Sequence, residues 1–304
     1  MKLAMVGLGK MGANMARRLL KSGHQVVGVD HHPEVAEKLA EEFGLIPAAT
    51  LDEAIEKLAA PRVVWVMVPA GKPTEAVIND LGNLLSQGDI IVDGGNSFYQ
   101  DDIRRASQLK EKGINFVDAG TSGGIWGLEE GYSLMVGGEE SVVNQITPLF
   151  KSLAPTPELG WGHVGPVGAG HFVKMIHNGI EYGLMEAYAE GFQLLEKKTE
   201  MDLDLHQIAE IWRYGSVIRS WLLDLTAAAL EENPELEGIA AFVPDSGEGR
   251  WTVAEAIDLN CSIPVISMAL QRRFRSREAA PFADKLLAAM RNQFGGHAVK
   301  KVEK

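Results

Sequence analysis

The sequence has little cysteine and no long apolar run, and each shortage excludes a class of protein. Cys261 is the one cysteine in 304 residues, which rules out an internal disulfide and predicts a reducing compartment, the cytoplasm. No apolar run approaches the roughly 20 residues that a membrane-spanning helix needs. The apolar start, Met1–Gly9, is too short and too interrupted by glycine for a signal sequence.

Positive charge is also scarce. Acidic residues outnumber basic ones by 41 to 29, for a formal net charge of -12. This balance argues against nucleic acid or an anionic membrane as a partner, because a negative surface repels both. A small anionic substrate is still compatible with it, since a few locally placed Arg and Lys side chains suffice to bind one.

What the sequence does contain is a change of pattern near residue 165. Upstream, Val- and Ile-rich runs alternate with amphipathic stretches, which predicts a Rossmann-type, doubly wound parallel sheet. We expect its strands at Lys2–Val6, Gln25–Val29, Arg62–Val68, Ile90–Val92, Asn115–Val117 and Tyr132–Val136. Downstream, helical periodicity predicts an all-α domain. The expected boundaries are 1–164 for the dinucleotide-binding domain, 165–290 for the helical substrate and oligomerisation domain, and 291–304 for a C-terminal tail.

A glycine-rich turn lies between the first strand and the first helix. It reads Gly7-Leu8-Gly9-Lys10-Met11-Gly12, a G-x-G-x-x-G pattern, and Asp30 ends the second strand 18 residues beyond Gly12. In this context the pattern predicts dinucleotide binding rather than a merely structural turn. A carboxylate at Asp30 favours NAD over NADP, because it accepts hydrogen bonds from ribose hydroxyls and repels a 2′-phosphate. Two alternatives stay open: Asp30 only caps the following turn, or neighbouring histidines neutralise it and permit NADP.

A polar stripe runs along one predicted helix. Lys174, His177, Asn178 and Glu181 stand at i, i+3, i+4 and i+7, which places them on one helical face. Such a stripe either faces solvent or lines a cleft. We favour the cleft, because the rest of the helix is largely apolar and therefore central rather than peripheral.

Four motifs in this order resemble those of the 6-phosphogluconate dehydrogenase family, within the β-hydroxyacid dehydrogenase superfamily. They are GLGKMGAN at Gly7–Asn14, DGGNS at Asp93–Ser97, GTSGGIWG at Gly120–Gly127 and KMIHNGIEYGLM at Lys174–Met185. The resemblance runs from residue 1 to about His297. Longer members have a duplicated helical domain, and this chain has room for one copy, so it resembles a short form.

The resemblance implies an oxidoreductase that converts 6-phosphogluconate to ribulose 5-phosphate and CO2, in the pentose phosphate pathway and in gluconate utilisation. Lys174, unprotonated in the substrate complex, would take the proton of the C3 hydroxyl while a hydride passes to NAD or NADP. A lysine can do this only if burial or a nearby cation lowers its pKa. The protonated Lys174 would then polarise the ketone for loss of CO2, and Glu181 would protonate C1 of the enediol.

The resemblance also implies which residues bind ligands. Substrate carboxylate and hydroxyls would be held by Asn96, Ser122, Gly123, Gly124, His177 and Asn178, and the phosphate by Tyr182, Arg250, Thr252 and Arg273. Arg250 stands where many members carry lysine, which keeps the charge and changes the geometry. The cofactor would contact the turn Gly7–Gly12 with Asp30, Val68, Pro69, Ala70 and Asn96. Arg291 and His297 would complete the site of a neighbouring subunit, in a homo-oligomer (dimer or tetramer).

Two other functions compete with this one. Another β-hydroxyacid dehydrogenase, acting on 3-hydroxyisobutyrate or tartronate semialdehyde, would share the fold but need not carry Glu181 or a cluster of cations for phosphate. A catalytically silent dinucleotide-binding module would be expected to lose Lys174 and Glu181, and both are present. Metal catalysis is not predicted, because the eight histidines show no paired ligand spacing; we expect His163 and His171 to be structural.

Overall fold

The computed structural model describes residues 1–301, in two compact units that divide between His177 and Asn178. The first unit contains an eight-stranded sheet, counted over the described residues, in the order β3-β2-β1-β4-β5-β6-β7-β8. The strands are β1 Lys2–Val6, β2 Gln25–Val29, β3 Ile46–Pro47, β4 Val63–Val66, β5 Ile90–Asp93, β6 Asn115–Ser122, β7 Ser133–Gly138 and β8 Trp161–Gly165. Strands β1 to β6 are parallel, which confirms the doubly wound Rossmann-type sheet.

Helices cover both faces of this sheet. They are α1 Lys10–Lys21, α2 Pro33–Phe43, α3 Leu51–Glu56, α4 Lys72–Leu84, α5 Tyr99–Lys110, α6 Gly127–Glu130 and α7 Glu140–Leu153, with a 3-10 turn at Gly124–Trp126. Alternate residues of one strand enter different cores: Leu3 and Met5 pack on one side of β1, Ala4 and Val6 on the other. Burial of both faces explains why the strands read as continuous apolar runs rather than alternating patterns.

Helix α8, Ala169–Lys197, begins in the first unit and continues into the second. The second unit adds α9 Leu205–Arg213, α10 Trp221–Glu232, α11 Glu248–Asp258, α12 Pro264–Ser276 and α13 Phe282–Gly295, with a 3-10 turn at Thr199–Met201. Local chemistry accounts for several starts: Asp204 and Ser220 accept hydrogen bonds from the first-turn N–H groups of α9 and α10, and Pro264 opens α12. The expected all-α second half is confirmed.

Three features depart from the expected pattern. Strand β7 is antiparallel to β6, because the ten residues between them are fewer than the dozen or so that a parallel crossover needs. Strand β8 lies in glycine-rich sequence that carries no apolar alternation, and it forms the sheet edge. Helix α13 extends to Gly295 and so includes the start of the predicted tail, whose last residues, 302–304, lie outside the described residues.

No helix within residues 1–301 combines the length and the apolar character needed to cross a bilayer.

Candidate active site

The glycine turn after β1 has the geometry that its sequence predicts. Gly7 has φ +91°, and a Cβ atom at Gly12 would lie 2.0 Å from the carbonyl oxygen of Gly7. A Cβ at Gly9, by contrast, would meet nothing within 4 Å. Gly9 is the N-cap of α1, with no side chain capping the helix and no acidic residue in its first turn. The helix therefore presents first-turn N–H groups and a positive dipole end beside open space, which suits an anionic pyrophosphate.

Asp30, at the end of β2, is tied to the glycine turn. Its Oδ2 accepts the N–H of Leu8 at 2.6 Å and its Oδ1 accepts the N–H of His32 at 2.9 Å. Nδ1 of His31 lies 3.2 Å from Oδ1. Asp30 thus braces both turns, as the capping alternative requires. Oδ2, which has one such contact, keeps a second lone pair, so ribose recognition stays a prediction alongside the structural role.

The carboxyl ends of β4 and β5 border the glycine turn. Val68, just after β4, has a methyl carbon 3.0 Å from where a Cβ of Gly7 would stand, and its carbonyl oxygen is 3.1 Å from a Cβ of Gly95. Pro69 accepts a hydrogen bond from the Thr74 hydroxyl at 2.9 Å, and Ala70 is exposed. These strand ends meet where the strand order reverses between β1 and β4, the usual ligand position in such sheets.

Lys174 is buried against the end of β6. Its side chain is 8% exposed, and a Cβ at Gly120 would lie only 2.5 Å from the Cβ of Lys174. Lys174 Nζ lies 3.3 Å from His177 Nδ1, and His177 Nε2 lies 3.3 Å from Ser122 Oγ. The fold thus brings together three predicted site residues, from the strand-end loop and the long helix, through a row of polar side-chain contacts.

The polar stripe of α8 is at least partly covered along its length. Lys174 is buried, and His177, Asn178 and Glu181 are all partly buried. The apolar neighbours are mixed: Met175 is 3% exposed and Ile180 is 53% exposed. A stripe that merely faced solvent would itself be exposed; that it lines a cleft stays a prediction.

The loop after Ser122 depends on its glycines. Gly123 has φ +139° and Gly124 φ +53°, conformations that side chains disfavour. A Cβ at Gly123 would lie 3.1 Å from the Tyr132 ring, whereas one at Gly124 would meet nothing within 4 Å. The Asn14 side chain donates to the Ile125 carbonyl at 3.3 Å, which links this loop to α1. The loop therefore has exposed backbone of the kind that binds anions.

The Asp93–Ser97 turn is stabilised by hydrogen bonds to its own aspartate. Asp93 is fully buried; its Oδ1 accepts the N–H of Gly95 at 3.0 Å and its Oδ2 accepts the Ser97 hydroxyl at 2.7 Å. Arg105, also buried, lies 3.5 Å from Asp93 and donates to Glu75 at 2.9 Å. Asn96, partly buried, is thereby held between two anchored neighbours.

His171 connects this turn to α8. Its Nδ1 lies 2.6 Å from Asp102 Oδ2, and its Nε2 lies 3.1 Å from the Gly95 carbonyl oxygen. Its backbone N–H donates to Asp118 Oδ2 at 2.9 Å. Burial alone would lower the pKa of His171, but the surrounding buried carboxylates, chiefly Asp102, raise it.

Asp93, Asp102 and His171 could be metal ligands by distance. However, the Arg105 guanidinium, 3.5 Å from both carboxylates, already supplies positive charge there.

The second unit gathers the residues predicted to bind phosphate. The Arg273 guanidinium lies over the Tyr182 ring, 3.6 Å from its centroid. A Cβ at Gly249 would lie 2.5 Å from the same ring, and a Cβ at Gly179 would lie 2.8 Å from Thr252. The Tyr182 hydroxyl is buried and has no hydrogen-bond partner among the described residues. A buried hydroxyl of this kind normally has a partner, which a bound ligand would provide.

Arg250 is held by a buried carboxylate. It donates to both oxygens of Asp245, at 2.8 and 3.1 Å, and Arg277 donates to the same group at 2.6 Å. The hydrogen bonds from these arginines, with the larger effect from Arg250, lower the pKa of Asp245 to about 2. Arg272 and Arg275 instead pair with Glu186 and Asp284. Within the RRFR run, Arg273 is therefore the arginine whose guanidinium lies over the Tyr182 ring.

Arg291 and His297, the tail residues predicted to reach a neighbouring subunit, lie near the end of the described chain. Arg291 is exposed on α13, and the Asn292 side chain donates to the His297 carbonyl at 2.9 Å just after this helix. Their contribution to a neighbouring subunit stays a prediction.

Two family models match consecutive parts of the chain. The NAD binding domain of 6-phosphogluconate dehydrogenase matches residues 2–163, and the C-terminal domain of 6-phosphogluconate dehydrogenase matches residues 170–284. The chain belongs to the 6-phosphogluconate dehydrogenase family.

Relatives of equal length support membership in a short form of the 6-phosphogluconate dehydrogenase family. The protein YqeC of Bacillus subtilis is 46% identical over 99% of this chain and 100% of its own length. An NAD(+)-dependent, decarboxylating 6-phosphogluconate dehydrogenase of Haloferax volcanii is 41% identical, over 99% of each chain. The solved 6-phosphogluconate dehydrogenase of Plasmodium falciparum superimposes with a TM-score of 0.83 at 27% identity, covering 100% of this chain and 67% of that one.

Sequence reasoning missed the buried residues that support the candidate site. Asp102 and Arg105 stand at i and i+3 of α5 among other polar residues, and nothing in the spacing shows that these two turn inward. In the sequence, Asp118 is a single aspartate after a predicted strand and Asp245 is an aspartate in a loop, and neither position indicates a buried carboxylate. A buried acid is recognisable from the sequence only when its distant partner is already known.

Proposed function

We propose that this chain oxidatively decarboxylates 6-phosphogluconate to ribulose 5-phosphate and CO2, with NAD as the preferred cofactor and NADP as the alternative. The observation that carries the proposal is the buried Lys174, linked through His177 to Ser122. The named activity of the Haloferax volcanii relative supports the same reaction and the same cofactor. The 6-phosphogluconate dehydrogenase of Plasmodium falciparum has been solved with NADP+ as its cofactor, which keeps NADP as the alternative.

The first unit suits a nicotinamide dinucleotide, which accepts a hydride from the substrate when it is bound. The turn Gly7–Gly12, with Leu8, Lys10 and Met11, would hold the pyrophosphate at the start of α1. Asp30 would meet the adenine ribose. The rest of the cofactor site would be lined by residues at adjoining strand ends, namely Val68, Pro69, Ala70 and Asn96.

Lys174 and Glu181 would divide the proton transfers. Lys174, as a neutral amine, would take the proton of the C3 hydroxyl and return it to polarise the resulting ketone, which favours loss of CO2. Glu181, seven residues and about 10 Å further along the helix axis, would then protonate C1. His177, Asn178, Asn96 and the loop Ser122–Gly124 would orient the carboxylate and hydroxyls.

The second unit would bind the substrate phosphate. Arg273 over Tyr182, the buried Tyr182 hydroxyl and Thr252 supply a cation and hydroxyl groups. Arg250 adds charge, and its bidentate contact with Asp245 keeps its guanidinium in one orientation. A β-hydroxyacid dehydrogenase for unphosphorylated substrates has no need of these cations.

Three further statements belong to the proposal. The enzyme works in the pentose phosphate pathway, or in gluconate utilisation, in the cytoplasm. It is a homo-oligomer, in which Arg291 and His297 reach a neighbouring active site. Its partner is the small phosphorylated acid and neither nucleic acid nor a membrane.

One assay tests the proposed reaction. Purified protein is mixed with 6-phosphogluconate and either NAD or NADP, while reduced nicotinamide and released CO2 are measured together; gluconate serves as the unphosphorylated control. We expect one CO2 per reduced cofactor, a higher rate with NAD, and a much lower rate with gluconate. Reduction without CO2 would indicate a plain β-hydroxyacid dehydrogenase, and no reduction with either cofactor would refute the proposal.

A further inference from the structure

Both ring nitrogens of His171 face oxygen atoms. The ring is 1% exposed, with Nδ1 at 2.6 Å from Asp102 Oδ2 and Nε2 at 3.1 Å from the Gly95 carbonyl oxygen. A carbonyl oxygen only accepts hydrogen bonds, so Nε2 must carry a proton and donate it. A second proton lies between Nδ1 and Asp102, whichever atom holds it. The pair as a whole is therefore neutral and its orientation is defined at both ends.

The carboxylates of Asp93 and Asp118 lie near this pair, and their negative charge favours the second proton. The Arg105 guanidinium, from α5, lies 3.5 Å from Asp102 and acts in the opposite sense. Asp118 is itself satisfied by the N–H groups of Gly168 and His171, at 2.7 and 2.9 Å. Removing the ring would therefore leave the Asp102 carboxylate without its nearest partner in a buried site.

The bonds of His171 connect two parts of the proposed catalytic site. Gly95, whose carbonyl the ring holds, immediately precedes Asn96. Lys174 follows His171 by three residues, almost one turn of α8. The ring thus sets the orientation of the Gly95–Asn96 peptide against the first turns of the helix that carries Lys174.

We propose that His171, oriented by Asp102, is a positioning residue that fixes Asn96 relative to Lys174; this rests on the proposed function. His171 touches no reacting atom in this account. Its contribution is the fixed separation of two groups that must meet one small substrate, and a displacement of about 1 Å is enough to cost roughly 100-fold in rate.

Three substitutions separate the two bonds of the ring. In H171Q the side-chain amide nitrogen can replace Nε2 and keep the bond to Gly95, whereas in H171N it can replace only Nδ1 and keep the contact with Asp102. H171L keeps neither. We expect H171N and H171L to lower kcat roughly 10- to 100-fold, and H171Q to recover most of the rate.

His163 provides the matched control. Its Nε2 also contacts a glycine carbonyl, that of Gly138 at 2.8 Å, but on the edge strand β8. H163Q and H163N should therefore keep kcat within about two-fold, and thermal unfolding of every variant is measured in parallel. The inference is overturned if the unmodified enzyme is active and H171L keeps its kcat, or if H171Q loses as much as H171N. An unmodified protein that reduces neither cofactor overturns the proposed function and this inference together.

Discussion

Replacing Gly120 by alanine should disturb the proposed base directly. The added methyl group would stand 2.5 Å from the Cβ of Lys174 and 2.7 Å from the carbonyl oxygen of Gly170. An ordinary contact is at least 3.4 Å, so α8 must move from β6 by about 1 Å at this point. Overpacking of this kind costs roughly 1–3 kcal/mol of folding free energy, and a shift of about 1 Å at a catalytic group costs roughly 100-fold in rate.

The assay compares G120A with G162A, an alanine substitution on β8 of the same sheet. A Cβ at Gly162 meets nothing within 4 Å, so G162A should keep both its unfolding midpoint and its kcat with 6-phosphogluconate. G120A should lose about 100-fold in kcat and unfold at a lower temperature. A G120A enzyme with normal kcat would show that the contact between β6 and Lys174 does not position the catalytic amine.

Two further outcomes follow from named carboxylates. Substituting D30A should lower the preference for NAD over NADP, measured as the ratio of the two kcat/KM values, because the repulsion of a 2′-phosphate is removed; an unchanged ratio would leave Asp30 with its structural role alone. Because the Asp245 carboxyl has a folded-state pKa of about 2, below its ordinary value of 3.8, its stabilising effect is present above about pH 4 and is lost as the pH falls towards 2. D245N should therefore reduce the free energy of unfolding by about 1 kcal/mol at pH 7 and by much less at pH 2, and an equal loss at both pH values in denaturant titrations would refute this account.

Local patterns predicted the parts of the site that lie close together in sequence. The Gly7–Gly12 turn lies within one strand–turn–helix unit, and the spacing of Lys174, His177 and Asn178 places them on one side of α8 without reference to the rest of the chain. Burial of the polar side could be argued from the apolar remainder of the helix.

Long-range pairings could not be predicted in the same way. Asp102 and His171 are 69 residues apart and meet only because α5 and the start of α8 flank the carboxyl ends of β5 and β6. Strand β8 is determined by pairing with β7 rather than by its own glycine-rich sequence. The site is thus predictable where one element carries it, and the buried charges that support it become visible only once the sheet is assembled.

The most direct test of the central claim replaces Lys174 by methionine, which keeps the length of the side chain and removes the amine. We expect K174M to lose kcat with 6-phosphogluconate by roughly 10²- to 10⁴-fold while it binds NAD with unchanged affinity. Lys197, exposed at the far end of the same helix, provides the control, and K197M should be fully active. A K174M enzyme that still reduces NAD and releases CO2 at the unmodified rate would contradict the assignment of Lys174 as the base.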